Sequence, residues 1–509
     1  MSYRKLLPAL FAVAAVAAHA TRESDSDISW GACNETQVNT TGAAPAQCGE
    51  LAVPLDYTNN TSNETLNLQL VRIPASAQPC KGSIQFNFGG PGEIARQSLV
   101  DLGYALLNLT GGHYDLVAFD PRGTGNTLPF NCAKTDLEAQ SLLSMISPIG
   151  NSSDTALGAN WANTEVVATT CKHNGNDTGP YIGTAFVARD LMQVVDALQE
   201  DGLLRYYGES GVELQSTSAK LTMNLGFSYG TALGATVASM FPDRIDKIVL
   251  DGVQNPHQYY HALADFEEWT QTDYVFSSIF RTCIEAGPTA CPLASLNKTA
   301  TELEHAYWDF LYDLKYHPVP IAGSLVLDYS AVKSYVVQLL YDNKAWRSFT
   351  DILLALFTSP SPEDALTELF SGGLSALVDT NLTLVDQLAT VSALYGIHCG
   401  DRTTRTDDFD TMVDVYQELT DISQVFGDTL IGREMICAQW QMDVKERYEG
   451  NFTATLPNTP MLLIGNTGDA FTPVVSAYNV SGGFEGSVVL ETDGFGVSLD
   501  ASECNLGYG

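Results

Sequence analysis

Short apolar runs, each closed by a turn signal, recur along this chain and restrict its fold more than any other feature. Helix-like stretches lie between several of them, as at Ala185–Leu198 and Leu233–Met240. Continuous apolar strands that alternate with helices are typical of a mostly parallel sheet covered on both faces. An earlier pair, Leu51–Tyr57 and Leu66–Ile73, predicts an antiparallel start to that sheet. The main runs are Ile84–Phe88, Leu116–Phe119, Leu221–Leu225, Ile248–Leu250, Met461–Ile464 and Val488–Leu490.

The pattern changes between residues 257 and 430, where amphipathic segments such as Leu303–Leu314 and Ala331–Leu340 replace the strand-like runs. Amphipathic periodicity without strands indicates packed helices. We therefore predict a helical cap at 257–430. It would be inserted between a first core part at 21–256 and a C-terminal core part at 431–509.

The first twenty residues predict export from the cell. Arg4 and Lys5 precede an apolar run, Leu6–Ala18, that is too short to span a bilayer, and Ala18-His19-Ala20 matches a signal-peptidase site. A membrane anchor is the alternative. We expect residues 1–20 to be a signal peptide, the protein to be secreted, and no later segment to be transmembrane.

Cysteine and asparagine usage fits an oxidising compartment. The ten cysteines show no CxxC spacing, which favours structural disulfides, with Cys283–Cys291 and Cys399–Cys437 as the expected pairs. Asn-x-Ser/Thr sequons are dense and predict N-linked glycans. The sequons begin at Asn34, Asn39, Asn59, Asn60, Asn63, Asn108, Asn151, Asn176, Asn297, Asn381, Asn451 and Asn479.

The charge and the motifs exclude other classes of partner. A net charge of −35 argues against nucleic-acid binding, which needs a basic face. No metal, nucleotide or other cofactor motif is found, so we expect neither metal nor cofactor. The sequence makes no prediction of oligomeric state.

The strongest local signal is Gly226-Phe227-Ser228-Tyr229-Gly230, which matches GxSxG. Strand-like residues precede it and helix-like residues follow, which is the context that a nucleophile elbow requires. The tight turn would present Ser228 at a helix N-terminus, and the two glycines would leave room for the crowded backbone. A serine in an ordinary tight turn is the alternative.

A glycine-rich turn, Phe88-Gly89-Gly90-Pro91-Gly92, follows the run that ends at Phe88. Its backbone N–H at Gly90 and the N–H of Tyr229 could together form an oxyanion hole, in which each donor lowers the activation barrier by roughly 3 kcal/mol. A plain Gly/Pro turn is the alternative.

The predicted triad acid is Asp469, which directly follows the strand-like run Met461–Ile464 and its glycine-rich continuation. The triad order in folds with this elbow is Ser, acid, His, and the acid lies in the loop after the penultimate strand. A solvated loop aspartate is the alternative.

These motifs, in this order, resemble the secreted tripeptidyl aminopeptidases, α/β-hydrolases related to prolyl aminopeptidases. The resemblance covers about residues 51–496, with the cap weakest. It implies the α/β-hydrolase fold, release of short peptides from free N-termini, and Ser228 and Asp469 as triad members. It also implies a structural role for Asp120 and Arg122. The motifs that carry it are GGPG at 89–92, DPRGTG at 120–125, GFSYGT at 226–231, FPDR at 241–244, DGV at 251–253 and Thr472-Pro473.

The chain departs from the family at the catalytic histidine. Members carry Gly-His after the last strand, whereas Val497 follows Gly496 here and all eight histidines precede Asp469. Without an imidazole, Ser228 lacks a general base, and we expect impaired activity. His398 or His257 could replace the missing base only through unusual geometry.

A second departure precedes the elbow. Residues 209–226 separate Tyr206-Tyr207-Gly208 from FSYGT, and their removal would restore the family phrase YYGFSYGT. Only one of Leu203–Tyr207 and Leu221–Leu225 can occupy the central strand, and we predict the second, since it directly precedes Ser228. We hypothesise that both departures are introns read through into protein. A genuine insertion with a degenerate C-terminus is the alternative.

Three functions remain open. The first is an aminopeptidase, in which carboxylates of the cap or rim hold the substrate amine. Glu93, after the glycine-rich turn, is a candidate, although a solvated glutamate is the simpler interpretation. The second is an esterase or lipase-like hydrolase, because the same machinery cleaves esters. The third is a non-catalytic binding protein that retains the fold.

Overall fold

The computed structural model describes residues 27–33, 38–209, 229–321, 325–341, 343–359, 361 and 384–496. The strands in these ranges are β1 Gln47–Pro54, β2 Thr65–Ile73, β3 Ser83–Asn87, β4 Asp115–Phe119, β5 Leu204–Glu209, β6 Ile245–Asp251, β7 Val319–Ile321, β8 Leu325–Leu327, β9 Ala454–Thr455, β10 Leu462–Gly468, β11 Phe484–Glu485 and β12 Val488–Phe495. The helices are α1 Ala95–Leu109, α2 Asp136–Ile146, α3 Ala156–Gly175, α4 Thr184–Ala197, α5 Tyr229–Met240, α6 Pro256–His261, α7 Thr272–Ala290, α8 Ala300–Asp313, α9 Tyr329–Tyr341, α10 Trp346–Thr358, α11 Leu384–Asp401, α12 Phe409–Ile422, α13 Gly427–Ala438 and α14 Val474–Ser481.

The main sheet has eight strands in the order β1-β2-β4-β3-β5-β6-β10-β12. Strand β2 pairs antiparallel with β1 and β4, whereas the pairings from β4 through β3, β5, β6 and β10 to β12 are all parallel. Carboxyl ends of parallel strands meet at one edge of a sheet, where α/β proteins place their sites. The predicted mostly parallel sheet with an antiparallel start is confirmed.

Strand β4 shows how both faces of the sheet are covered. Val117 and Phe119 belong to the apolar core that contains α4 and α5, whereas Leu116 and Ala118 belong to the core that contains α1. Because successive side chains of a strand point to opposite faces, helices lie on both sides. This arrangement explains why the strand reads as a continuous apolar run.

The central strand differs from the prediction. Strand β5 (Leu204–Glu209) pairs with β3 on one side and β6 on the other. The prediction that Leu221–Leu225 would displace it is wrong, and that later run lies outside the described residues. Pairing with two neighbours satisfies both edges of β5, which local sequence context could not reveal.

Helices α6 to α13 follow β6 and precede β10, although β6 and β10 are neighbours in the sheet. Many of their apolar residues form a second core, and the short hairpin β7–β8 lies among them. Both predicted disulfides, Cys283–Cys291 and Cys399–Cys437, are present in this segment. Cys33–Cys48 and Cys132–Cys171 are also bonded.

The DPRG motif lies in the interior. The Asp120 carboxylate accepts the Arg96 Nε–H at 2.7 Å, and Arg122 binds Asp190 through Nε at 2.6 Å and Nη2 at 2.8 Å. Arg122 also donates to the carbonyls of Pro54 and Leu55. These contacts tie β1, the loop after β4 and helix α4 together, as a structural role requires.

No helix in the described part of the chain is both long enough and apolar enough to cross a membrane.

Candidate active site

The end of strand β5 touches the start of helix α5. A Cβ atom on Gly208 would lie 2.3 Å from the Gly230 carbonyl oxygen, and one on Gly230 would lie 2.8 Å from the Glu209 carbonyl oxygen. Neither position has room for a side chain, so the two backbones are in direct contact. Ser228 and Gly226 lie outside the described residues. Gly208, which the sequence analysis did not single out for close packing, faces Gly230 across the junction.

The predicted oxyanion turn lies beside the same junction. Gly90 has a φ of +105°, and a Cβ there would lie 2.7 Å from the Gly92 nitrogen. The Asn87 side chain accepts the Gly89 N–H at 3.1 Å, while the Asn87 carbonyl oxygen lies 2.6 Å from the Cβ position of Gly230. The turn that contains Gly90 and the helix that begins at Tyr229 are therefore neighbours.

Helix α11 covers the glycine-rich turn. A Cβ on Gly92 would lie 2.7 Å from the Thr390 carbonyl oxygen and 3.1 Å from the Leu394 nitrogen. Glu93 is half-buried, and its Cγ lies 3.5 Å from the Cβ position of Gly90. Glu93 thus borders the turn and is not a fully solvated glutamate.

Asp469 directly follows β10 and is completely buried. Its Oδ1 accepts the N–H groups of Phe471 and Thr472, both at 2.8 Å, and its Oδ2 accepts the Thr472 hydroxyl at 2.5 Å. Burial, together with the nearby Asp251, raises the pKa of Asp469 to about 7 against the lowering effect of these hydrogen bonds. The alternative of a solvated loop aspartate does not hold.

Asp251 and Thr472 are site neighbours that the sequence analysis did not single out. Asp251 ends β6, is buried, and accepts the Tyr207 hydroxyl at 2.8 Å. The spacing Asp469-x-x-Thr472 was a usable signal, because a threonine three residues after an aspartate can bond back to it. Asp251 gave no such signal, because its closeness to Asp469 depends on strand pairing.

The last described residues return to the acid loop. Gly496 donates its N–H to the Gly468 carbonyl at 3.2 Å, and Asn466 donates to the Gly496 carbonyl at 2.8 Å. Gly468 precedes Asp469, and Gly496 precedes Val497, where the family carries its histidine. Val497 lies outside the described residues, but the residue before it is bound to the residue before the acid.

The two histidines considered as substitutes have other partners. His398 is buried, stacks on Tyr259 with ring centroids 4.4 Å apart, and accepts from Arg402 Nη2 at 2.9 Å. Burial and the neighbouring arginines hold its pKa well below the usual value for histidine. His257 packs edge-on against Phe452 at 5.2 Å. These contacts do not orient either ring as the partner of Asp469.

In the described ranges, no three His, Cys, Asp or Glu side chains are grouped closely enough to hold a metal ion.

Comparison with known proteins agrees with this geometry. A family model of the alpha/beta hydrolase fold matches residues 213–280, and a model described as TAP-like protein matches residues 423–505. The serine protease Hip1 of Mycobacterium tuberculosis is 25% identical over 486 residues, covering 91% of this chain and 84% of the relative. A tripeptidyl aminopeptidase of Streptomyces coelicolor is 30% identical over 217 residues, covering 42% of this chain and 36% of the relative. Carboxylesterase B of M. tuberculosis is 28% identical over 345 residues, covering 66% and 60%.

Fold and site together define an α/β-hydrolase, as predicted. Within that fold, residues 423–505 match the TAP-like model, and the chain is a serine hydrolase.

Asp469→Asn is expected to make stability less dependent on pH. The carboxyl has a pKa of about 7 in the folded chain and about 3.9 when unfolded. The stabilisation it contributes is therefore full below pH ~4 and is lost as the pH rises through about 7. Asparagine does not titrate. The free energy of unfolding of the variant minus that of the parent should therefore rise by about 2–3 kcal/mol from pH 5 to pH 8, as measured by urea unfolding. A difference that does not change with pH would contradict a buried carboxyl with a raised pKa, and Asp309→Asn, at an exposed position, serves as control.

Excision of residues 209–226 is expected to preserve the sheet and raise stability. Gly208 and Gly230 already touch, so Phe227, Ser228 and Tyr229 need only bridge a short gap. Shortening the connection lowers the entropy of the unfolded chain, worth roughly 1–2 kcal/mol. Urea unfolding measures the gain. Gly208→Ala in the shortened chain should reverse it, because the new Cβ would meet the Gly230 carbonyl. A shortened chain that fails to fold would show that the contact does not stand for a direct junction.

Proposed function

We propose that this chain is built as an aminopeptidase that releases short peptides from free N-termini through an acyl-enzyme. Ser228 is the nucleophile, Asp469 the triad acid, and the N–H groups of Gly90 and Tyr229 the oxyanion hole. The carrying observation is that Asn87, the end of β3 that leads into the glycine-rich turn, is in contact with the start of α5 at the carboxyl edge of the sheet. Asp469 follows β10 at that same edge.

The chemistry follows from these positions. Ser228 Oγ attacks the substrate carbonyl carbon while its proton passes to an imidazole, and the two backbone N–H groups bind the oxygen that becomes negative. The imidazolium then protonates the leaving amine, which gives the acyl-enzyme. Water then attacks the acyl-enzyme in the same way, which releases the short peptide with a free carboxyl group and regenerates Ser228.

The hydrogen bonds of Asp469 support its role as the acid. A carboxylate offers about four acceptor positions. Phe471 and Thr472 N–H groups bind Oδ1 and the Thr472 hydroxyl binds Oδ2. This set leaves an acceptor position on Oδ2, which suits the Nδ1–H of an imidazole.

The imidazole of this mechanism belongs at position 497. The bond between Gly496 and Gly468 supports that position, because it joins the residues that precede 497 and Asp469. With valine there, we propose that the chain as given has impaired activity, since general base catalysis contributes about 10²–10⁴-fold.

We also propose that residues 257–430 act as a cap between core parts 21–256 and 431–509. Support comes from the adjacency of β6 and β10 across the intervening helices. Thr390 and Leu394 of α11, which lies in this segment, contact the glycine-rich turn, so the segment covers part of the site.

Secretion and glycosylation belong to the same proposal. Of the ten sequon asparagines in the described ranges, nine are exposed and Asn151 is half-buried, so glycans can be attached without unfolding. Four disulfides among the described cysteines suit an oxidising compartment.

Two other functions keep specific support. The carboxylesterase relative favours an ester substrate, because it shares much of this chain. The valine at position 497, where the family carries its histidine, favours a binding protein that retains the fold.

Val497→His is expected to raise the rate at which a fluorophosphonate probe labels Ser228 by about 100-fold or more. The imidazole would accept the serine proton and be oriented by Asp469. Probe incorporation followed by peptide mass spectrometry measures the rate and the site, with Ser228→Ala as control. Equal labelling of parent and variant would refute position 497 as the place of the base. No labelling of either would favour the non-catalytic function.

The active variant is expected to prefer free amines. It should cleave a tripeptide amide at least about tenfold faster than its N-acetylated form, since acetylation removes the charge that would pair with a carboxylate of the cap or rim. If Glu93 holds the amine, Glu93→Gln should raise KM for the peptide and leave a short acyl ester unaffected. Rapid ester cleavage without peptide cleavage would instead identify an esterase.

A further inference from the structure

The first turn of helix α5 is held by three hydrogen bonds from three different parts of the fold. The Tyr229 hydroxyl is bonded to Thr184 Oγ1 at 2.8 Å. The Gly230 carbonyl accepts the Tyr206 hydroxyl at 2.7 Å, and Thr231 Oγ1 accepts the Gln254 N–H at 3.0 Å. Each of the three residues that follow Ser228 therefore has its own anchor.

The Tyr229 anchor ends at a buried carboxylate. Asp401, the last residue of α11, accepts the Thr184 N–H at 2.9 Å, the Thr184 hydroxyl at 2.5 Å and the Tyr259 hydroxyl at 3.1 Å. Thr184 has one hydroxyl proton, so with Asp401 ionised that proton goes to the carboxylate and Tyr229 donates to Thr184. Tyr229, Thr184, Asp401 and Tyr259 are all completely buried.

The anchor connects two elements that border the proposed oxyanion hole. Helix α11 contacts Gly92 through the Thr390 carbonyl near its start and binds Thr184 through Asp401 at its end. Tyr229 carries one proposed oxyanion donor on its backbone and the anchored hydroxyl on its side chain. Fixing that side chain against Thr184 limits how far the backbone N–H can move.

The separation of the two glycines in sequence shows what such an anchor contributes. In a direct elbow, three residues would join the two glycines that touch, and the short link itself would fix the turn. Here residues 209–229 separate Gly208 from Gly230. In the described residues, the contacts that hold the start of α5 against the rest of the fold are non-covalent and include the three hydrogen bonds above.

We infer that Thr184 and Asp401 are positioning residues that hold the Tyr229 N–H in place as an oxyanion donor. This inference rests on the proposed function, because it needs Tyr229 to be such a donor. A displacement of about 1 Å is enough to cost a large factor in rate, so loosening this anchor should slow acylation without removing any catalytic group.

The simpler interpretation is that the network only stabilises the fold. Buried hydroxyls need partners whatever their function, and removing one would destabilise the protein either way. A useful test therefore measures the local order of α5 and the reactivity of folded molecules, in addition to global stability.

The first arm of the test uses amide hydrogen exchange on the full chain. Thr184→Val keeps the side-chain shape and removes the hydroxyl. The amides of residues 233–235 bond to the carbonyls of residues 229–231 in an α-helix, so their exchange should accelerate about tenfold relative to strand β4. Thr184→Ser should behave as the parent. The matched control Thr350→Val removes a buried hydroxyl in α10, far along the chain, and should leave α5 unchanged.

The second arm measures fluorophosphonate labelling of Ser228 in the Val497→His chain. Thr184→Val should lower the second-order rate about tenfold, less than the full loss of an oxyanion donor, while Thr184→Ser and Thr350→Val stay within about twofold. Unchanged exchange at residues 233–235 overturns the inference. Faster exchange with an unchanged labelling rate overturns the part of the inference in which the anchor positions the Tyr229 N–H as an oxyanion donor. If the Val497→His parent itself is not labelled, the proposed function fails, and the exchange arm still decides whether the anchor exists.

Discussion

The backbone contact between Gly208 and Gly230 is the constraint on which the rest of the site depends. It brings the end of the central strand to the start of helix α5, even though residues 209–229 separate the two glycines. Because β5 pairs with both β3 and β6, the glycine-rich turn after β3 is fixed relative to the same junction. The relation between turn and helix is thus set by the sheet and does not depend on the length of the connection.

The same edge of the sheet holds polar groups that are expensive to bury. Asp251 ends β6 and Asp469 follows the neighbouring strand β10; both are buried, and Asp251 raises the cost of ionising Asp469. Hydroxyls and N–H groups compensate part of that cost: Tyr207 donates to Asp251, and Thr472 donates twice to Asp469. Such an arrangement is poor for stability and is typical of sites that perturb a pKa for chemistry.

The sequence predicted most of the fold because its strands are buried on both faces and therefore read as continuous apolar runs. The prediction failed at the central strand. The run Leu221–Leu225 was preferred because of its place before Ser228 in the sequence, whereas Leu204–Glu209 pairs with the neighbouring strands β3 and β6. Those partners, such as Tyr206 on the Gly230 carbonyl, are long-range contacts that single-sequence periodicity does not show. Thr184 and Asp401 illustrate the same limit, because 217 residues separate two groups that meet at hydrogen-bond distance. Cys283–Cys291 was predictable because its loop is short.

The environment of Asp469 also explains why a histidine matters beyond supplying a base. Burial, with a contribution from Asp251, raises the pKa of this carboxyl to about 7, which leaves it partly protonated at neutral pH. An imidazolium beside a carboxylate favours the ionised form of the acid, so the positive charge formed during acylation would stabilise Asp469 at the moment the charge is needed. Acid and base are therefore energetically interdependent: the buried aspartate is costly without an imidazole, and an imidazole at position 497 would gain its orientation and charge stabilisation from the aspartate. The proposed function thus places at position 497 a partner that would stabilise this loop, and this sequence has valine there.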